Sequence, residues 1–199
     1  MFDALFTTTT EYKKLSHALS GKGACALFGL PASGRAQVYA ALCRQLDKPL
    51  CIVTPGEAEA TRFAADLNTL GIPAAVFPAR DYVLRPIEGT AREYEYRRLA
   101  VLGELVGGRL RAVAVPAEAL TQFTTPKEDF CANTRTLHAG DTLLRDDLLA
   151  ALFGAGYTRR AQVDGPGQFS VRGDIVDIFA PDQKMPVRME FWGDEIDTL

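Results

Sequence analysis

The sequence predicts a doubly wound, mostly parallel α/β domain over residues 1–122, followed by a smaller α+β domain with antiparallel strands over residues 123–199. Three observations carry this. From Ala24 to Val115, short continuous apolar runs alternate with amphipathic stretches, the pattern of strands buried on both faces of a parallel sheet and joined by helices. After Val115 the pattern shifts to a stretch rich in Pro and Thr and then to alternating apolar and polar residues, which fits antiparallel strands. Between the first apolar run and the first helix stands a glycine-spaced turn, GLPASGRA.

In chain order, ACALFGL reads as the first strand, RAQVYAALCRQL as a helix, LCIV as a strand and EAEATRFAADLNTL as a helix. That last helix is opened by Thr54-Pro55-Gly56, carries Glu57 and Glu59 in its first turn where the helix dipole favours them, and is closed by Gly71 before Pro73. AAVF is the next strand, a charged helix follows over about 91–106, and RAVAV closes the β-α-β-α-β-α-β series. PAEALTQFTTPKEDF reads as a short helix and a crossing between domains. TRTLHAG then reads as a strand, Thr142 to Phe153 as a helix ended by Gly154 and Gly156, and QFSVRGDIVDIFAP and PVRMEFWGDEIDTL as β segments. The strand pattern is still running at Leu199, so the chain reads as a piece of something longer.

The 199 residues are 47% hydrophobic and 24% charged, which excludes disorder and leaves enough apolar material for two cores without metals or disulfides. With 22 Lys and Arg against 25 Asp and Glu, the net charge of −3 advertises no nucleic-acid or membrane partner, so any such site is local. No apolar run approaches the ~18 residues of a membrane span, and MFDALFTTTTEYKKL lacks the form of a leader, so a cytoplasmic protein is expected. Cys25, Cys43, Cys51 and Cys131 have no C-x-x-C spacing and only His17 and His138 as further soft ligands, so no metal or other cofactor is implied. Reduced, buried thiols are expected, with Cys25 and Cys51 inside apolar runs.

GLPASGRA matches the phosphate-loop pattern in its glycines, Gly29 and Gly34, and in its place before a helix, the arrangement of a degenerate P-loop, RecA-like domain. Ser33 precedes the second glycine. Arg35 stands where a working loop has Lys, and Ala36 stands where a hydroxyl would hold Mg²⁺. Three readings remain: a vestigial loop without hydrolysis, weak anion binding at a helix start, or a turn that needs glycine for its geometry. RAVAVPAEAL offers Pro116 where a Walker-B carboxylate belongs, and neither histidine lies in a nucleophile motif, so no catalytic residue is assigned. The pair Asp174 and Asp177 reads as hairpin-turn chemistry.

The strand period in PVRMEFWGD places Val187, Met189 and Phe191 on one face and Arg188, Glu190 and Trp192 on the other. In QFSVRGD, Phe169 and Val171 face inward while Gln168, Ser170 and Arg172 face out. A Trp among charges has the composition of a binding hot spot. The competing reading has equal standing: Arg188 and Glu190 form an ion pair and Trp192 folds under a loop or an unseen domain.

GYTRRAQVDGPGQFSVRGDIVDIFAP with PVRMEFWGDEIDTL resembles a segment shared by the UvrB excision-repair subunit and the transcription-repair coupling factor family. The resemblance is strong over about 45 residues, and the preceding ~125 agree in order, including FPARDYVLRP, EYEYRRLAVLGEL and AVPAEAL. UvrB would show an intact phosphate loop and a tyrosine-rich hairpin, so the defective loop points to the coupling factor's N-terminal module. What the resemblance implies is a non-catalytic adaptor whose second domain binds UvrA. Later domains of such a protein would contact RNA polymerase and DNA, and a C-terminal domain would mask the UvrA surface. By motif position the partner-binding residues are Arg172, Arg188 and Trp192, with Glu190 a weaker candidate, and the family often has Phe at the Trp192 position. The alternative is a nucleotide-binding or DNA-binding fragment of a repair helicase that uses Arg35 in the modified loop.

Overall fold

A computed structural model describes residues 7–21, 24–46, 48–80 and 92–199, without the side chains of residues 32 and 33. The chain divides into two compact units: Met1–Asp81 with Gly107–Gln122, and Tyr82–Val106 with Phe123–Leu199.

In the first unit the order is α1 (Thr10–Ser20), α2 (Ala32–Gln45), β1 (Leu50–Thr54), α3 (Glu57–Thr69), β2 (Ala74–Val76), β3 (Ala112–Pro116) and a short α5 (Ala117–Leu120), with α4 (Glu93–Val106) of the second unit lying between β2 and β3 in sequence. The sheet is all parallel in the order β1-β3-β2. The central strand β3 is buried at every position, as its unbroken apolar sequence requires. Helix α3 turns Ala60, Ala64 and Leu67 inward, positions spaced four and three apart on one stripe. Two alanines against Ala114 let the helix backbone approach β3 closely. Asn68 secures the end of α3 to β2, since its Nδ2 donates to the carbonyls of Ala64 and Ala74, each at 2.8 Å, and its Oδ1 accepts from Ala74 N at 3.1 Å.

The run ACALFGL does not become a strand. Residues 24–28 carry no regular secondary structure and are exposed, with Phe28 89% exposed, and the first described strand of the sheet is Leu50–Thr54. An apolar run identifies a strand only if a ladder partner exists, and no described strand pairs with this one. The same absence of cover corrects the cysteine expectation: Cys25, Cys51 and Cys131 are exposed, and Cys43 alone is buried, against Arg111 and the Cys43–Ile52–Leu67 cluster. Burial raises the Cys43 thiol pKa. All four thiols are free. A disulfide-exchange reagent added to the native protein is therefore expected to label three thiols quickly and Cys43 only after denaturant, a count read directly by absorbance. Helix α1, capped by Thr9 Oγ1 accepting from Tyr12 N at 3.3 Å, carried no clear signal in the Thr-rich start of the sequence.

In the second unit, α4, α6 (Lys127–Ala132) and α7 (Arg145–Gly154) accompany β4 (Thr158–Arg159), β5 (Gln168–Arg172), β6 (Ile175–Phe179), β7 (Val187–Trp192) and β8 (Glu195–Thr198). The five strands run in chain order across one sheet. β4 lies parallel to β5 and every other pair is antiparallel. Two Gly-Asp turns close β5–β6 and β7–β8, with Gly173 and Gly193 at φ 62° and 63°. Positive φ at the first turn residue matches the twist of a tight hairpin, and Gly reaches it without a Cβ clash. The inner face packs Phe169, Val176, Ile178, Met189, Phe191 and Ile196 against Leu148 and Leu152 of α7.

TRTLHAG is not a strand either. Residues 134–138 form an exposed, non-repetitive segment in which only Leu137 reaches the core. The chain meets the sheet just afterwards, where Gly140 N donates to Ile196 O, Ile196 N to Asp141 O and Leu143 N to Asp194 O, covering part of the β8 edge. His138 is exposed there, 3.6 Å from Asp141.

Candidate functional site

The outer face of the β5–β8 sheet is set by strand alternation. With Phe169, Val176, Met189 and Phe191 in the core, their neighbours Ser170, Asp177, Arg188 and Glu190 fall on the opposite face. The registers Ser170↔Asp177 and Asp177↔Arg188 run a row across three strands. Arg188 Nε donates to Asp177 Oδ1 at 2.7 Å and Arg188 Nη2 to Oδ2 at 3.1 Å, a two-pronged pair. Ser170 Oγ bonds Asp177 Oδ2 at 3.2 Å. Arg172, one step along β5, donates from Nη2 to the carbonyl of Ala161 at 2.7 Å. Arg172, Asp177 and Arg188, with Gln162, Val163 and Pro186, line a shallow cleft of about 460 Å³.

Trp192 closes β7 opposite Glu195 and is 83% exposed, and Glu190 is exposed beside it. The four predicted partner-binding residues thus share one face: Arg172 and Arg188 meet at the cleft, and Trp192 stands at the β7 end. The expected Arg188–Glu190 ion pair is corrected. Arg188 bonds Asp177 rather than Glu190, because the cross-strand partner lies directly opposite whereas Glu190 is two residues along the same strand. No described residue covers Trp192.

Asp177 went unrecognised because it was grouped with Asp174 as turn chemistry. Asp174 does sit in the turn, where its carboxylate accepts from Arg145 Nη1 at 3.2 Å, but Asp177 is the third residue of β6. Its signal was the period of IVDIF, a single carboxylate in the outward phase of an apolar strand. The hydrogen bonds from Arg188 hold the Asp177 carboxyl below its ordinary 3.8, with smaller help from Ser170 and Arg172 against a burial cost. A depressed folded pKa means that this contribution to stability is complete above the unfolded value and is lost as pH falls through the folded one. Carboxyl ¹³C shifts are accordingly expected to show Asp177 titrating below the ordinary aspartate value of 3.8.

The glycine-spaced turn has a different geometry from a phosphate cradle. Gly29 is exposed at φ 81°, and α2 begins at Ala32, so Ser33, Gly34, Arg35 and Ala36 all lie within its first turns. The N–H groups of Gly34 and Arg35 both donate to Pro31 O, at 3.0 and 3.1 Å. Arg35 is exposed and Ala36 is buried, 3% exposed, in the unit's interior. Among the described residues no group of His, Cys, Asp or Glu is placed to hold a metal ion, and no helix is long and apolar enough to cross a membrane. FPARDYVLRP lies outside the described residues from Asp81 onward.

Residues 136–199, which contain the whole sheet, match the family described as UvrB interaction domain. Over most of its length the chain is also 39% identical, across 177 residues, to the transcription-repair-coupling factor of Mycobacterium tuberculosis (strain CDC 1551 / Oshkosh), covering 85% of this chain and 14% of that protein. The chain thus carries a UvrB interaction domain and is similar over most of its length to transcription-repair coupling factors. The coupling factor of Bacillus subtilis (strain 168) is 29% identical over 175 residues, 87% of this chain and 15% of that protein. The UvrABC system protein B of Chlorobium limicola is 28% identical over 188 residues, 87% of this chain and 28% of that protein. This UvrB-like chain spans about a seventh of the coupling factors it matches, and the matched interaction domain lies within its second unit.

Proposed function

We propose that the chain is the non-catalytic UvrA-binding module of a transcription-coupled repair factor. The observation that carries this reading is the outer face of the interaction domain, where two arginines and an 83% exposed Trp occupy strand positions that a purely structural sheet would give to Lys or Thr. Arg172 and Arg188 pair with acidic groups on UvrA, Trp192 is the apolar anchor, and Glu190 lies at its rim. In the longer protein, RNA polymerase and DNA are contacted by parts outside this chain, and a C-terminal domain masks the same face.

The nucleotide-binding alternative has less support. The N–H groups that would cradle a phosphate at Gly34 and Arg35 are committed to Pro31, and the buried methyl of Ala36 cannot ligate Mg²⁺. A DNA-binding alternative is disfavoured by the net charge of −3. Gel filtration of the chain mixed with purified UvrA is the direct test: co-elution is expected, with no ATP hydrolysis by the chain alone. Separate elution at micromolar concentrations, or hydrolysis that Arg35→Ala removes, would overturn the reading.

A further inference from the structure

The Asp177 carboxylate lies on the middle strand of the outer face, directly opposite Ser170 on one side and Arg188 on the other. Ser170 is 1% exposed although it belongs to the outer face, and the Asp177 side chain is 17% exposed, whereas the Arg188 side chain is 58% exposed. Burial therefore rises from the arginine inward to the serine. A guanidinium has five N–H donors. Asp177 takes the Nε and Nη2 edge, which leaves the Nη1 end and the outer N–H of Nη2 directed away from that carboxylate. Arg172 stands on the same cleft with its Nη2 anchored to Ala161 O. Among the residues lining the cleft, two arginines stand against one carboxylate, with Glu190 beside Arg188 on the same strand.

We infer that Ser170 and Asp177 are positioning residues, clamping the inner edge of the Arg188 guanidinium so that its outer fork, with Arg172 across the cleft, receives a carboxylate side chain of the partner protein. The inference rests on the UvrA reading and adds what holds the Arg188 fork in place to receive the partner's acidic group. A free Arg samples many rotamers and loses them on binding; one already clamped has paid much of that loss on folding. The planar fork then offers a carboxylate two parallel hydrogen bonds, which a mobile cation would not hold in register.

The clamp makes a prediction opposite in sign to simple charge counting. If Asp177 only neutralised the cleft, Asp177→Asn would remove a negative charge and tighten binding to an acidic surface. As a positioning residue, its loss is expected to weaken UvrA binding roughly tenfold, with Ser170→Ala weaker by a few-fold and Asp177→Glu recovering part of the loss. Calorimetry of these variants beside Arg188→Ala reads the affinities, and thermal melts check their folding. ¹⁵N relaxation of the Arg188 Nε–H in the wild-type chain needs no variant: a restricted signal is expected, and a freely averaging one would overturn the clamp. Asp177→Asn binding as tightly as wild type or tighter, while Arg188→Ala weakens, would overturn the clamp alone. Absence of wild-type binding would instead overturn the UvrA reading, and with it the partner half of this inference.

Discussion

Replacing Trp192 by Ala is expected to weaken binding to UvrA by about 2 kcal/mol, close to thirtyfold, without lowering the melting temperature. Both halves follow from where the indole sits. Its side chain stands off the sheet, 83% exposed, while its neighbour Phe191 is buried in the core, so truncation removes contact area that only a partner can cover. Trp192→Phe is expected to keep most of the affinity, because the aromatic face survives and only the indole N–H is lost. A Trp192→Ala variant that melts several degrees lower would show instead that the side chain stabilises the fold.

The opposite residue on the same sheet gives the opposite result. Phe169→Ala is expected to destabilise the second unit by about 3–5 kcal/mol, which is a large part of the stability of a domain this size. Phe169 has no solvent exposure, packs at the centre of the β5–β8 core, and meets Phe153 edge-to-face with ring centres 5.1 Å apart. Neighbours fixed in a helix and three strands cannot collapse into the space it leaves, so a cavity remains. Urea unfolding followed by circular dichroism reads the loss as a lower midpoint. UvrA affinity measured on the residual folded fraction should change little, since Phe169 faces away from the proposed docking surface.

How much of this was legible in the sequence depended on the kind of signal. The alternation in PVRMEFW and QFSVR assigned inner and outer faces correctly because, in a sheet with one covered face, a one-residue slip would expose the whole apolar set. Gly173-Asp174 marks the β5–β6 hairpin through the backbone geometry of the turn itself, whereas the β7–β8 turn at Gly193-Asp194 lies inside PVRMEFWGDEIDTL, which reads as one β segment. ACALFGL and TRTLHAG misled because apolar content and β propensity describe a residue's fitness for a strand and not the presence of a partner edge. The burial of Cys25 failed for the same reason. Arg172 and Arg188 were visible as outward cations, but the Ser170–Asp177–Arg188 row was not, since it depends on which positions of three strands fall in register. In the first unit, GLPASGRA showed its altered chemistry at Arg35 and Ala36 in sequence, while the helix that starts at Ala32 and engages the N–H groups of Gly34 and Arg35 appeared only in three dimensions.

The central claim, that the outer face of this interaction domain is the surface on which UvrA docks, is tested most directly by titrating UvrA with the wild-type chain and with a variant carrying Arg172→Ala, Arg188→Ala and Trp192→Ala together. The account predicts saturable wild-type binding and no measurable heat from the triple variant, with superimposable circular dichroism spectra for the two chains. Equal affinity of the two chains would contradict it and place the interface elsewhere on the molecule.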